Sequence, residues 1–414
     1  MPYTSARLRR TAAIAVVLGA LTVPLAGAPA AAPAAFAAPS PTPSPSGSPG
    51  VRDLTPAVAR QLDAVVQHVM READVPGVTV GVWTPGRSDY VRSFGVANKA
   101  TGQKMSPDLY MRIGSETKTF TVTALLQLVD QGRVSLDDPI GKYLDGVPNG
   151  DRITLRDLAG MRSGLFNYSE DTGFFKALTS DPQRAFTPQQ LLAYSFRHPV
   201  MSQPGEKFYY SNTNLILLGL LVEKESGQRL GDYLEQHVLG PAGMSHTLFP
   251  TGNEFPAPHA QGYTNQTATG KVEETAGWNP SWGWAAGAMI SNLDDLHTWA
   301  RTVATGVFPD GTTMVGPVVQ KQRLTTPSTG IQGAGYGLGI FDVQGWIGHN
   351  GSLPGYESLT VYLPSTQTTV VVLLNTDIGY KGDIEPSTLF GQAITRVLSP
   401  AHVFDLPAPA SATR

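Results

Sequence analysis

The order of elements along the chain predicts an α+β fold. It is a mostly antiparallel sheet flanked by helices from the two ends of the folded part, with a mainly helical subdomain inserted. Two observations carry this. Segments of helical periodicity stand at both ends, and strand-like runs fall into an early and a late group separated by a helical block. Residues 55–72 place Val58, Leu62, Val65, Val66 and Val69 at helical spacing. Strands are expected over 78–83 and 90–96. A strong helix over 115–131 carries Phe120, Val122, Leu125, Leu126 and Val129 and stops near Gly132. The block that follows has helical segments at 154–159, 187–197, 214–225 and 230–238, and a further helix over 293–305. Strands return at 337–343, 346–349, 359–363 and 369–375, before a last helix over 386–397. The helical insertion spans about 133–280.

Composition narrows the function classes. The 414 residues hold 30 Lys+Arg against 33 Asp+Glu, a formal net charge of −3, so bulk charge recruits no nucleic acid. Hydrophobic residues make up 41%, enough for a buried core. The chain has no cysteine, which excludes disulfides, thiolate catalysis and Cys-bound zinc. The eight His are scattered singly and give a metal site no support.

The N-terminus reads as a secretory signal peptide over residues 1–37. Arg7, Arg9 and Arg10 form the positive region, an Ala-rich apolar run follows, and Ala35-Phe36-Ala37 offers a cleavage site. The alternative is a membrane anchor, which Pro24 and Pro29 in the apolar run disfavour. Arg9-Arg10 also permits twin-arginine export. Residues 38–50, rich in Pro and Ser, form a tether. The folded domain is expected over 51–407, with a loose tail at 408–414, and the mature protein is expected outside the cell or in the envelope.

Three short stretches carry chemistry. Ser115-Glu116-Thr117-Lys118 opens the strong helix, with the hydroxyl and the amine on one face. The first-turn N–H groups favour the negative charge that a serine nucleophile develops. The bland alternative is a serine N-cap followed by an exposed lysine. Tyr210-Ser211-Asn212 lies on a loop before another helix. Its phenol can shuttle a proton if cations depress its pKa, and Asn212 can hold a substrate amide. Tyr263-Thr264-Asn265 repeats the Y-x-N pattern, and the helix that follows favours Tyr210. His349-Asn350-Gly351-Ser352 follows a strand, and Gly351 would let substrate approach the backbone closely. Asn350-Gly351 also reads as a hairpin turn. The nucleophile elbow of α/β-hydrolases, HExxH, the P-loop and the dinucleotide fingerprint are all missing.

Together the three motifs, in this order, resemble those of the penicillin-recognising serine hydrolases, the branch with secreted DD-carboxypeptidases and class C β-lactamases. That family carries S-x-x-K, Y-x-N and K-T-G or H-T-G, here S-E-T-K, Y-S-N and H-N-G. The phrases at 125–132, 162–165, 209–214, 240–244 and 336–339 extend the likeness over about 54–398. The resemblance implies the two-subdomain α+β architecture of β-lactamases and DD-peptidases, with the motifs in the cleft between subdomains. It implies that Ser115 is acylated, that Lys118 activates it, alone or coupled with Tyr210, and that Tyr210 relays the proton. It implies that Asn212 binds substrate and that His349 supplies a polar or cationic edge. The backbone N–H groups of Ser115 and Ser352 would form the oxyanion hole. Trp282 would be a pocket wall, with a core tryptophan as the alternative.

The function so implied is D-alanyl-D-alanine carboxypeptidase on peptidoglycan stem peptides, with β-lactams as acylating inhibitors and with no cofactor, metal or nucleic acid. Two departures widen it. Asn350 replaces the usual Thr, and Phe341 stands where the most similar carboxypeptidases carry an Arg for a terminal carboxylate. These favour an esterase, amidase or β-lactamase on the same scaffold. A non-catalytic receptor for peptidoglycan or β-lactams is the alternative of another class.

Overall fold

The computed structural model describes residues 50–382 and 384–406. The export signal, almost all of the Pro/Ser tether and the C-terminal tail lie outside the described residues.

Two helices and a seven-stranded antiparallel sheet form the frame. Helix α1 (Pro56–Glu72) has Thr55 as its N-cap, whose hydroxyl accepts from the Val58 N–H. Strands β1 (Gly77–Trp83) and β2 (Tyr90–Gly95) follow, then the central helix α2 (Thr117–Asp130). The helical block contributes α3 (Asn212–Ser226), and α4 (Leu293–Thr305) follows it. Strands β3 (Ala334–Tyr336), β4 (Phe341–Val343), β5 (Trp346–Leu353), β6 (Tyr356–Leu363) and β7 (Thr368–Leu374) complete the sheet, and helix α5 (Pro386–Leu398) closes the chain. The strand order is β2-β1-β7-β6-β5-β4-β3, all antiparallel. Among the described residues, no helix is long and apolar enough to cross a membrane.

Strands β1, β6 and β7 are buried along their whole length, because both sheet faces are covered. Val78, Val80, Val82, Leu359, Val361, Val370 and Val372 face one way, onto Leu62 and Val66 of α1 and Phe390 and Ile394 of α5. Alternate residues, among them Trp83, Val371 and Leu373, join a larger core with α2, α3 and α4. The period-two alternation of a strand therefore sorts side chains between two apolar layers instead of between core and water.

Helix α2 is buried almost all round, as its weak amphipathicity suggests. Its threonines make that burial tolerable. The Thr121 hydroxyl donates to Ala285 O at 2.7 Å, and the Thr117 hydroxyl accepts from the Met289 N–H at 3.1 Å. Trp299 Nε1 donates to Thr119 Oγ1 at 2.7 Å. Satisfied polar groups of this kind fix one orientation of the helix in the core.

The structure departs from the sequence expectations in three places that matter for the site. Ser115 lies not in the α-helix but in a short 3₁₀ turn, Gly114–Glu116, that feeds α2. The strand expected over 337–343 is broken into β3 and β4. Gly339 takes a left-handed φ of 68°, and any side chain there would press on Val122 of α2. The hairpin reading of Asn350-Gly351 is replaced by a longer strand: β5 runs through the whole motif, and the chain turns at Gly355 instead, with φ of 94°.

The register then does something specific. Strand β4 pairs with β5 only from Trp346 to Gly348, whereas β6 pairs with it as far as Leu353. From His349 onward one edge of β5 has no strand neighbour, and the Gly114–Glu116 turn packs there. Gly351 makes this possible, since a Cβ on it would overlap the Ile113 carbonyl and the Ser358 hydroxyl. Gly351→Ala is therefore expected to cost about 1–3 kcal/mol by overpacking and to slow acylation of Ser115. Thermal unfolding and a penicillin-labelling rate, measured on one preparation, check both.

Candidate active site

Three elements meet at one hydroxyl. The Gly114–Glu116 turn presents Ser115, the first turn of α2 presents Lys118, and the loop before α3 presents Tyr210. Lys118 Nζ lies 2.8 Å from Ser115 Oγ and donates to Ala286 O at 2.8 Å. The lysine is fully buried, and among the described residues no carboxylate forms an ion pair with it. Burial holds its pKa well below the ordinary lysine value. The 3₁₀ turn keeps hydroxyl and amine adjacent through three residues of one segment, so their proximity is a local property of the chain.

Tyr210 stacks beside this pair, with Lys118 Nζ 4.9 Å from its ring centroid. Burial raises its phenol above the ordinary tyrosine range, a hydrogen bond with Ser115 acts against the rise, and the charge of Glu385 adds to it. Burial is the largest influence on this phenol, and it acts against the depression that neighbouring cations would give. Tyr210 also stacks on Phe341, centroids 6.5 Å apart.

His349 stands behind the tyrosine, ring centroids 6.2 Å apart. Its Nδ1 lies 2.5 Å from Asn350 O, an atom that only accepts, so the proton sits on Nδ1. Nε2 then accepts from the Tyr336 hydroxyl at 3.2 Å. Burial first, and the Lys118 charge second, push the imidazole pKa down to about 3. Of the polar or cationic edge expected of His349, the lowered pKa favours the polar, neutral form, whose Nε2 accepts from the Tyr336 hydroxyl.

Asn212 opens α3. Its backbone N–H donates to Asn167 Oδ1 at 3.1 Å, and its side-chain amide donates to Ser169 Oγ at 3.0 Å. Asn212, Ser352 and Trp282 all line a cleft of about 370 Å³ together with Ser115 and Tyr210. Trp282 is half-buried, lines the cleft and packs against the core, and its carbonyl accepts from the Tyr168 hydroxyl at 2.6 Å. Gly351 does not line the cleft. The backbone it admits is that of the Ser115 turn, not a substrate, and a Cβ on Gly114 would lie 2.8 Å from Ser352 N. Tyr263, the second Y-x-N tyrosine, accepts from the Lys99 N–H at 2.7 Å and has no place in the cleft.

Several cleft residues escaped the sequence reading. Asn167, Ser169 and Glu170 come from one short turn after the Arg162-Ser163-Gly164-Leu165 phrase, and that phrase was the available signal. Glu170 accepts from Asn167 Nδ2 at 3.1 Å and from the Tyr209 hydroxyl at 3.0 Å. Glu385 had no local signal. Among the described residues no His, Asp and Glu cluster could hold a metal ion.

A serine hydroxyl bonded to a buried lysine, with a tyrosine O–H at the same atom, equips the cleft as that of a serine hydrolase. The family model for β-lactamases matches residues 62–389, and the chain belongs to the β-lactamase family. A D-stereospecific amidohydrolase from Streptomyces sp. is 29% identical, with a TM-score of 0.70 over 82% of this chain and 97% of that one. D-amino acid amidase from Ochrobactrum anthropi SV3, complexed with L-phenylalanine amide, is 25% identical, with a TM-score of 0.71 over 82% and 98%. Protein flp of Staphylococcus aureus strain MW2 is 28% identical over 336 residues, 79% of this chain, and the chain spans 65% of the length of that relative.

Glu116, between Ser115 and the rest of the motif, is fully buried against β6, and neither of its oxygens has a well-formed hydrogen bond. Desolvation raises its pKa to about 8, partly offset by the Ser358 and Thr360 hydroxyls. The folded protein holds a proton there that the unfolded chain releases above about pH 4.5. Its stabilisation is complete below that pH and is lost as pH rises through about 8. Glu116→Gln should therefore match the unaltered protein in urea unfolding near pH 4 and exceed it by a growing margin above, about 1.4 kcal/mol per pH unit at most.

Lys118→Ala removes the only amine at Ser115 Oγ. Burst acylation by a nitrophenyl ester is expected to fall roughly 10²- to 10⁴-fold, the usual span for a lost proton acceptor, with circular dichroism unchanged.

Proposed function

We propose that this chain is an exported serine hydrolase that opens amide bonds at D-configured residues through an acyl-Ser115 intermediate. The observation that carries it is the 2.8 Å contact between Ser115 Oγ and a lysine buried without a counter-ion. An amine whose pKa is lowered by burial can accept the serine proton near neutral pH. Ser115 Oγ bonds to the substrate carbonyl carbon, and the proton moves to Lys118 Nζ. The backbone N–H groups of Ser115 and Ser352 would stabilise the oxyanion, each by about 3 kcal/mol. The C–N bond then breaks, the leaving nitrogen takes the Tyr210 proton, and Lys118 restores that proton. Water attacks the ester by the reverse path and frees the acid.

The cleft favours amides over peptides with a free carboxyl end. Among the described residues lining it there is no Lys, Arg or His, and Phe341 occupies the place where an arginine was looked for. The carboxylate of Glu170 on the Asn212 wall suits a substrate ammonium, and the solved relatives include D-amino acid amidases. The D-alanyl-D-alanine carboxypeptidase is the second reading, favoured by the order of the three motifs and by the export signal read in the N-terminal sequence. Both readings expect β-lactams to acylate Ser115.

Mass spectrometry with peptide mapping after penicillin treatment should place the adduct on Ser115 and find none in Ser115→Ala. Turnover of D-phenylalanine amide is expected to exceed that of the L-amide by about tenfold or more. Faster release of D-Ala from a stem-peptide mimic than of ammonia from the amide would move the assignment to the carboxypeptidase. A protein never acylated at Ser115 would exclude both.

A further inference from the structure

The cleft has two walls, and the one built by β5 carries an acid. Glu385 is the residue before the first turn of α5 and lines the cleft beside Asn350. Asn350 Nδ2 donates to Glu385 Oε2 at 2.6 Å. One of the two N–H donors of the Asn350 amide is therefore already engaged. Glu385 Oε1 has no hydrogen-bond partner among the described residues.

The side of the scissile bond on which this acid sits follows from Tyr210. The leaving nitrogen must lie against the tyrosine O–H to receive its proton, and Glu385 is near enough for its charge to act on that phenol. Phe341, stacked on Tyr210, and Asn350, the residue after His349, belong to the same wall.

The groups facing Glu385 are all acidic or neutral. Glu357 is buried beneath it and accepts the Ser387 N–H at 2.7 Å. Asp377 accepts from Gly355 N at 2.8 Å, Thr264 Oγ1 at 3.0 Å and Gln266 Nε2 at 2.5 Å. Tyr210 is a neutral phenol, and His349 is a neutral imidazole. Burial is the first cause at each: it raises Asp377 to about 6, while Glu385 is raised further by the charge of Asp377 and Glu357 by those of Glu385 and Asp377.

We infer that Glu385 is a specificity-determining residue: it accepts an N–H from the leaving group, a carboxamide or an ammonium, and rejects leaving groups that end in a free carboxylate. This rests on the acyl-Ser115 reading above and deepens it. Either protonation state of Glu385 offers an acceptor to N–H, whereas the ionised state adds like-charge repulsion against a carboxylate. The discrimination therefore grows as pH rises.

The test uses the full mature chain and two substrates with one acyl donor, N-acetyl-D-alanyl-D-alanine and its C-terminal carboxamide. Released D-alanine or D-alaninamide is quantified by mass spectrometry, and a nitrophenyl ester burst counts competent Ser115 in each preparation. The carboxamide is expected to be favoured in kcat/KM by about tenfold. Glu385→Gln, which keeps the shape, should shrink the preference to about threefold or less, chiefly by raising the rate on the acid. In the unaltered protein the preference should widen from about pH 5 to about pH 9. A normal burst with a preference that Glu385→Gln leaves unchanged, or that is flat across this range, overturns the inference alone. Absence of any burst overturns the acyl-serine reading and the inference with it. If Glu385→Gln does not fold, the pH dependence of the unaltered protein decides by itself.

Discussion

A single buried amine organises this protein. Lys118 sits in the core with no counter-charge, held by Ser115 Oγ and Ala286 O, each at 2.8 Å. An ammonium in such a place is costly, and the cost is met by lowering its pKa. That is the property a proton acceptor needs. The surroundings are consistent with it: burial holds the Tyr210 phenol high and the His349 imidazole low, and among the described residues no acid forms an ion pair with the amine. Had a carboxylate been placed beside Lys118, the amine would stay charged and Ser115 would have no base.

The frame exists to bring three segments to that amine. Strand β5 is paired on both edges only as far as Gly348, and the exposed remainder receives the Ser115 turn through the missing side chain of Gly351. Helix α2 cannot slide, because its threonine hydroxyls are tied to the segment around Ala285–Met289 and to Trp299. The same segment supplies the Ala286 carbonyl that orients Lys118. Core packing and the site are therefore one network, in which the polar groups that specify helix position also fix the nucleophile.

Charge divides the cleft by what it lacks. Glu170 and Glu385 both line it, and among the described residues lining it there is no Lys, Arg or His. A D-stereospecific amidohydrolase and a D-amino acid amidase are built on a similar scaffold, and loop and strand-edge residues such as Phe341 and Glu385 are where enzymes of one fold can diverge.

Local patterns in the sequence determined much of this. Helical periodicity marked α1, α2, α4 and α5, the β-rich runs marked most of the sheet, and Ser115 with Lys118 was legible because i, i+3 spacing is a property of one turn. What the sequence could not decide was anything that depends on which distant groups exclude water. The direction of the Tyr210 and His349 pKa values is set by burial, which depends on how separate segments pack around them, with Ser115 and Glu385 acting on the phenol and Lys118 on the imidazole. The break between β3 and β4, the use of Gly351 and the presence of Glu385 in the cleft have the same origin. Each is a contact between segments remote along the chain, visible only once the backbone has been packed.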